Sequence, residues 1–332
     1  MKKLAIDCRM SGKSGIGSYF DALLPFFKEH FDCIFINPDI KPFSLKELFS
    51  FPKEELEKIN SCDYYYTPYC NIPSGIKIPI FSTIHDIVFL DIPLASKAGT
   101  FARKLFYKRA VKKSKLIFTV SEFSKQRIIR HLKPKIPVIV TYNASDIQNS
   151  VLKKKSETKN LQKLQNTFLF VGNIKKHKGL HVLLDAFKTV LKSIPDAKLI
   201  IAGNSENFRT GDETIQTEIE KIGDSVKFTG FISNDELLSL YQTVSTLVQP
   251  SFYEGFGMPP LEALSCKTNV VLSDIDVFKE IYSGFPVTFF KTGDSQDLSE
   301  KMISSLSQNP PENIPDKYSF EKTFNIISEN LK

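Results

Sequence analysis

Short apolar runs of strand length alternate with segments of helical periodicity along this chain, and the alternation occurs in two successive sets. In the first set the runs are Leu4–Ile6, Cys33–Ile36, Ile80–Ile84, Leu116–Val120 and Val138–Thr141, with helical spacing near 17–28, 97–113 and 122–132. In the second they are Phe168–Val171, Lys198–Ala202, Val226–Thr229, Thr246–Val248 and Asn269–Leu272. Helical spacing there falls near 179–193, 213–222, 235–243, 259–266, 275–281 and 295–307. Strands alternating with helices fold into parallel sheets covered on both faces, because each crossover must return the chain to the same end of the sheet. The polar, lysine-rich stretch 153–165 separates the sets and is the expected linker. A chain of 332 residues is long enough for two cores. The expected class is therefore α/β, with doubly wound domains over 1–152 and 166–317. No sequence repeat relates them, so their likeness is one of fold.

Open sheets of this kind bind ligands beyond the carboxyl ends of their strands. Gly172, Gly203, Gly230, Pro250 and Ser273 each follow a strand of the second set and should rim one crevice. The most specific stretch there is Glu254-Gly-Phe-Gly-Met-Pro-Pro-Leu-Glu262. Pro259 and Pro260 suit a first helical turn, where a missing N–H costs nothing. The N–H groups of Gly255, Phe256, Gly257 and Met258 are then expected to point outward at a diphosphate or a developing negative charge. Glu254 and Glu262 can face one pocket, and carboxylates suit hydroxyl-rich ligands because each oxygen accepts hydrogen bonds. A polyol joined to a diphosphate is a nucleotide sugar. A second stretch points the same way: strand Phe168–Val171, then Gly172-Asn173-Ile-Lys-Lys-His-Lys178-Gly179, then a helix. That order places phosphate oxygens at a helix start beside Lys178, and it is not a Walker A loop.

The first set offers weaker signals. Gly15-Ile-Gly17 follows the first strand but lacks the third glycine and the ribose acid of a dinucleotide site, so it reads as close backbone approach to sugar, diphosphate or acceptor. His85 ends an apolar strand, where it either enters the cleft or bonds a neighbouring carbonyl; Asp86 reads as a loop support. The tyrosines of Asp63-Tyr-Tyr-Tyr-Thr-Pro-Tyr69 serve equally as a platform for sugar C–H faces or as core packing. The stretch 101–113 is basic and amphipathic, read either as a solvated helix face or as a contact to anionic lipid. Residues 1–165 carry a balance of +13 against −6 for 166–332, which points to an anionic partner for the first half alone. Five scattered cysteines without a C-x-x-C pair argue for reduced thiols in a cytoplasmic setting rather than disulfides or zinc. Asp7 and Arg9 interrupt the start of the chain before a signal-peptide core forms, and no run reaches membrane-spanning length.

Taken in order, these segments resemble glycosyltransferase family 4, retaining enzymes of the GT-B architecture with two Rossmann-like domains facing an interdomain cleft. Supporting segments are Thr83-Ile-His85-Asp86, Val120-Ser121-Glu-Phe-Ser, Tyr142-Asn143, Phe228-Thr-Gly230-Phe231-Ile and Tyr318-Ser-Phe320-Glu321. The resemblance implies an acceptor-binding first domain, on which a C-terminal helix over 318–332 packs back, and a nucleotide-sugar-binding second domain. It gives Glu262 the donor ribose, with Gly203, Gly230 and Phe231 around ribose and base. Glu254 would contact the transferred sugar, Lys178 the diphosphate, and His85 the donor sugar rather than act as a general base. Gly15, Gly17, Gly172, Asn173 and Gly255 to Met258 would line the diphosphate and sugar. Asn173 stands where the family often has arginine, a contact that Arg209 or the backbone would have to supply. No metal is implied, and no cofactor beyond the nucleoside diphosphate sugar itself. Asp274-Ile-Asp276 has the spacing of a metal motif but reads as a helix cap. Attack on the same face as the leaving group is the implied mechanism.

The expected activity is transfer of a hexose or 6-deoxyhexose, with mannose or rhamnose preferred, to a glycan or lipid-linked acceptor in bacterial surface polysaccharide assembly. The expected place is the cytoplasm, peripheral to the inner face of the membrane. Two other readings stay open. A nucleotide-sugar epimerase of the same fold would act without an acceptor. A nucleic-acid-binding protein would use the basic first half, although the acidic second half and the lack of a binding motif speak against nucleic acid.

Overall fold

The computed structural model describes all residues except 13, 43, 50, 93–96, 146, 148–161, 204–212, 313 and 332. The chain divides into two compact units, Met1–Ala144 with Tyr318–Lys332, and Ser145–Lys317. Most of the stretch expected as a linker lies outside the described residues.

The first unit holds a six-stranded parallel sheet in the order β2-β1-β3-β4-β5-β6. Its strands are β1 (Lys3–Asp7), β2 (Asp32–Ile36), β3 (Tyr64–Thr67), β4 (Ile80–Thr83), β5 (Leu116–Thr119) and β6 (Val138–Val140). Its first six helices are α1 (Ser14–His30), α2 (Leu45–Phe49), α3 (Lys53–Asn60), α4 (Val88–Asp91), α5 (Lys97–Lys113) and α6 (Glu122–Leu132). On one face Ala5, Tyr65, Ile117 and Val138 of the strands share a core with Phe51, Ile59, Tyr107, Ala110 and Ile128. On the other, Phe27 of α1 packs against Tyr66 at 5.0 Å and Phe324 at 5.2 Å between ring centres. The tyrosine run is therefore not a sugar platform: it is β3, paired with β1 and β4. Tyr65 and Tyr66 are fully buried. Burial obliges each phenol to find a partner, and Tyr65 Oη donates to Asp7 (3.0 Å) while Tyr66 Oη meets Thr83 Oγ1 (2.9 Å).

The second unit holds another six-stranded parallel sheet, in the order β12-β11-β10-β7-β8-β9. The strands are β7 (Thr167–Val171), β8 (Lys198–Ala202), β9 (Val226–Gly230), β10 (Thr246–Gln249), β11 (Asn269–Ser273) and β12 (Thr288–Phe290). The helices are α7 (Leu180–Ser193), α8 (Glu213–Ile222), α9 (Asn234–Thr243), α10 (Met258–Ser265), α11 (Asp276–Tyr282) and α12 (Ser295–Ser305); α13 (Phe320–Asn330) closes the chain on the first unit. Leu180, Leu183, Leu184, Phe187 and Val190 recur at helical spacing, so α7 buries one stripe against Phe168, Phe170, Leu199 and Ile201. Ser233 and Glu236 form a reciprocal capping box that starts α9. The two aspartates that resemble a metal motif do not cap α11, whose cap at Ile275 makes no side-chain bond. Asp274 instead accepts from Thr292 N (2.9 Å) and Oγ1 (2.7 Å), tying the ends of β11 and β12 together. Those bonds hold its carboxyl down at about 2.

Candidate active site

Strand order locates the site in the second unit. The chain runs outward from β7 through β8 and β9, then returns to the other side of β7 with β10, β11 and β12. The carboxyl ends of β7 and β10 thus flank the point where the winding reverses, the place where open sheets of this kind hold ligands. Two loops meet at that point. Gln249 Nε2 donates to Val171 O at 2.7 Å, joining the strand ends. Phe252 N donates to His177 O at 2.8 Å, joining the loops. A Cβ on Gly203 would lie 2.1 Å from Gly172 O, so the loop after β8 also crowds in.

Lys178 follows β7 and Glu254 follows β10, and they form one pair. Lys178 Nζ lies 2.7 and 2.8 Å from Glu254 Oε1 and Oε2, with side chains 21% and 12% exposed. Ser251 Oγ donates to Oε1 at 2.9 Å, and Ser273 Oγ holds the Ser251 carbonyl at 2.5 Å. The carboxylate is thus fixed by a buried hydroxyl that the sequence reading did not single out. An ammonium has three protons. Two reach Glu254, and the third has no partner among the described residues.

Glu262 projects from the second turn of α10, half-buried, with Oε2 accepting from Tyr241 Oη at 2.7 Å. Oε1 has no partner among the described residues. Burial raises its pKa, and the Tyr241 hydroxyl opposes the rise only in part. Binding that needs the ionised carboxylate therefore weakens as pH falls through a value above the ordinary glutamate range. With Glu262 on the donor ribose, as the sequence resemblance implies, Glu262→Gln is expected to raise the Michaelis constant for the donor more than it lowers turnover, because that contact would be made before and during reaction. Steady-state kinetics check this; a fall in turnover with an unchanged Michaelis constant would remove Glu262 from the ribose.

Gly257 sets the start of α10 in the left-handed region (φ 84°), its carbonyl held by Tyr282 Oη, and an added Cβ would meet Phe278 at 2.4 Å. Pro259 and Pro260 follow Met258 inside the first turn, so among these residues the N–H donors come from Gly255 to Met258 and not from the prolines. Phe256 is buried and Asn173 is exposed. Arg209 lies outside the described residues. At the ends of β8 and β9, Gly203 and Gly230 are half-buried, and Phe231 beyond them is 84% exposed, an unusual surface aromatic. His177 is buried with no partner for Nδ1 among the described residues, and burial, aided by the charge of Lys178, pushes its pKa down to about 4.

In the first unit, Gly15 and Gly17 fall in the first turn of α1 rather than in an open loop. A Cβ on Gly17 would lie 2.2 Å from Met10 O, so the close approach that excludes a side chain there is within the protein. His85 follows β4, its ring edge-on to Tyr19 at 4.8 Å and Nε2 at 3.0 Å from Pro68 O. A carbonyl only accepts, so Nε2 carries the proton and Nδ1 keeps its lone pair. Burial pushes this imidazole to about 4. A base that weak does not take protons at neutral pH, but Nδ1 can accept a hydroxyl's hydrogen bond. Asp86 Oδ1 accepts from Val88 N at 3.1 Å and starts α4.

Residues 152–322 match the family model of glycosyl transferases, group 1. The chain belongs to that family. It is 30% identical over 235 residues to the O-antigen chain mannosyltransferase RfbU of Salmonella typhimurium, covering 69% of this chain and 61% of that protein. It is 28% identical over 230 residues to the O-antigen chain mannosyltransferase B of Escherichia coli, covering 66% of this chain and 59% of that one. The matches thus span about three fifths of these relatives' own length. Among solved structures, Anabaena HepE in complex with UDP-glucose superposes with a TM-score of 0.75 at 18% identity, over 100% of this chain and 99% of that one. Sucrose-phosphate synthase from Thermosynechococcus elongatus gives 0.70 at 14% identity, over 99% and 98%. The fold of this group 1 glycosyl transferase is GT-B, with its two parallel six-stranded sheets.

Proposed function

We propose that this chain is a retaining, metal-independent hexosyltransferase of family 4, moving mannose or a related hexose or 6-deoxyhexose from a nucleoside diphosphate sugar. The acceptor is a glycan or lipid-linked oligosaccharide of bacterial surface polysaccharide assembly, and the protein works peripherally on the cytoplasmic side of the membrane. The observation that carries the reading is the Lys178–Glu254 pair at the winding reversal of the second sheet, with Glu262 on the helix that follows the Glu254 loop. The names of the two O-antigen relatives support mannose over other hexoses. Among the described residues no helix is long and apolar enough to cross a membrane.

Breaking the anomeric C–O bond puts negative charge on the diphosphate and positive character on the sugar. The third proton of Lys178 and the N–H groups of Gly255 to Met258 meet the first charge, in a site partly shielded from water where such dipoles are worth more. Glu254, held by Ser251, meets the second. Glu262 Oε1 takes a ribose hydroxyl, and the exposed ring of Phe231 stacks on the base. The leaving diphosphate takes the acceptor's proton as the new bond forms on the same face, and the lone pair of His85 Nδ1 is left to accept from a substrate hydroxyl.

Screening UDP-, GDP- and dTDP-sugars by thermal shift, then by transfer to oligosaccharide acceptors, tests this. One class of donor is expected to stabilise the protein, and transfer is expected to persist in EDTA. Loss of transfer in EDTA with recovery on Mg²⁺ or Mn²⁺ would sink metal independence. An epimerised donor formed without any acceptor would replace transfer by epimerisation.

A further inference from the structure

Strands β1, β3 and β4 lie side by side in the first sheet, and a buried loop leaves the carboxyl end of the middle one. Residues 68–73 form neither helix nor strand, yet all six are buried. A loop withdrawn from water must satisfy its polar groups from the protein. One carboxylate meets two of them. Glu47 of α2, fully buried, accepts from Tyr69 Oη on one oxygen and from Asn71 Nδ2 on the other. Arg9, which follows β1, meets the Tyr69-bonded oxygen at 2.7 Å. Asp7 grips that guanidinium in turn, with Arg9 Nε 2.9 Å from Oδ1, and the guanidinium carbon lies 5.7 Å from the centre of the Tyr69 ring. Glu47 thus clamps the loop at residues 69 and 71 and is itself anchored to the end of β1.

The same loop reaches the candidate site. Pro68 directly precedes Tyr69, and its carbonyl accepts from His85 Nε2 at 3.0 Å, between the ends of β3 and β4. Among the described residues that carbonyl is the one hydrogen-bond partner of the ring. The rest of His85 is held through its own carbonyl, which accepts from Ser124 Oγ at 3.0 Å, and through the ring contact to Tyr19. The bond that one imidazole nitrogen makes decides where the proton sits and which lone pair is left. A displaced Pro68 carbonyl would therefore release both the tautomer and the tilt of the ring. Directional bonds to a carboxylate fix the loop against sliding in a way that apolar contacts do not. Stability alone does not account for such a clamp, since apolar side chains often replace buried ion pairs without loss.

We propose that Glu47 is a positioning residue for His85, acting through Tyr69 and Asn71 on the loop whose Pro68 carbonyl holds the Nε2 proton. Glu47 touches no substrate in this scheme. It keeps the Nδ1 lone pair of His85 available and aimed, and its consequence for transfer rests on the transferase reading, in which that lone pair accepts from a substrate hydroxyl. Its consequence for the ring exists in the resting protein whatever the substrate.

The chain has five histidines, so the ring nitrogens of His85 are assignable by ¹⁵N NMR against His85→Ala. In the wild type at neutral pH, Nε2 is expected to show the protonated, pyrrole-like shift and Nδ1 the unprotonated, pyridine-like one. Tyr69→Phe with Asn71→Leu removes both loop contacts to Glu47 and leaves the Arg9 pairs in place. In that variant the two shifts are expected to move towards each other as the tautomers mix. Tyr69→Phe alone, which deletes one oxygen atom, carries the same test if the double variant fails to fold. Tyr64→Phe, which removes a hydroxyl bonded to Lys2 at the other end of β3, is the control and should leave His85 unchanged. The clamp variants are expected to lower kcat/KM for the donor by up to about tenfold, the worth of one hydrogen bond. Placed on His85→Ala they should cost nothing further, because the residue they position is gone. Unchanged His85 shifts in folded clamp variants, a wild-type proton on Nδ1, or an equal further loss on His85→Ala would overturn the proposal. Mixed tautomers in a protein that transfers no sugar would uphold the positioning and sink the transferase reading instead.

Discussion

The double variant Lys178→Ala, Glu254→Gln is expected to bind a nucleoside diphosphate more tightly than Lys178→Ala alone. The two side chains form one nearly neutral pair at 2.7–2.8 Å, mostly withdrawn from water. On the proposed reading, removing Lys178 deletes a charge-assisted contact to the diphosphate worth roughly 1.5–3 kcal/mol. It also leaves the Glu254 carboxylate unpaired a few ångströms from the diphosphate, and that repulsion, about 3 kcal/mol for charges ~5 Å apart at an effective dielectric constant near 20, adds to the loss. Neutralising Glu254 in the same chain removes the repulsion and leaves only the lost contact. Glu254→Gln alone frees Lys178 and should leave diphosphate affinity equal or tighter, while turnover falls at least about tenfold, or roughly 1.4 kcal/mol of barrier. Bare nucleoside, which has no phosphate, should bind all three variants alike. Calorimetry on the diphosphate and nucleoside, with turnover measured beside it, decides the matter. Strictly additive losses would mean that the pair is not maintained around the ligand.

Gly179→Ala is expected to be the most destabilising single-methyl change in the second unit. Gly179 ends the loop that carries Lys178 with φ at 70°, a left-handed conformation that costs an L-residue roughly 1–2 kcal/mol. The new Cβ would also lie 2.0 Å from Pro250 O and 2.9 Å from its carbonyl carbon, both backbone atoms that cannot rotate away. Moving backbone to admit a methyl adds typically 1–3 kcal/mol. A total of about 3 kcal/mol should lower the melting midpoint by roughly 6–12 °C for a unit of this size. Diphosphate affinity should fall too, because Pro250 begins the loop that carries Glu254 and the two loops would be forced apart. Gly284→Ala, with nothing within 4 Å of its new Cβ, is the matched control and should melt like the wild type. Wild-type melting by Gly179→Ala would show that the loops are not in contact.

The sequence by itself determined which segments become strands and helices wherever the period was long enough to read. Five strands of each sheet and the long helices α1, α5, α6 and α7 follow from spacing alone, since spacing is a property of neighbouring residues. Where a run was short or chemically ambiguous, the sequence was silent. Thr288–Phe290 is a three-residue strand behind Pro286, too brief to show alternation. Tyr64–Thr67 looks like the approach to a loop because Pro68 follows it, yet it lies in the sheet interior. The glycines illustrate the same limit: the Gly15-Ile-Gly17 pattern implied a close backbone approach, but only packing showed that Met10 makes it.

The candidate site was legible as separate pieces. Strand ends, a glycine turn before two prolines, a lysine loop and two glutamates marked the residues, but their partners were not in the sequence. Lys178 and Glu254 are 76 positions apart, and they meet because β10 lies beside β7 instead of beside β9. Nothing local to either segment encodes that adjacency. It is set by which arrangement of strands buries both faces of the sheet with short, right-handed crossovers, a condition on the whole chain. The same holds for Tyr241 beside Glu262 and Pro68 against His85. Local order supplied the chemical groups, and tertiary packing decided which of them are tethered, which proton each carries and which remain open to a ligand.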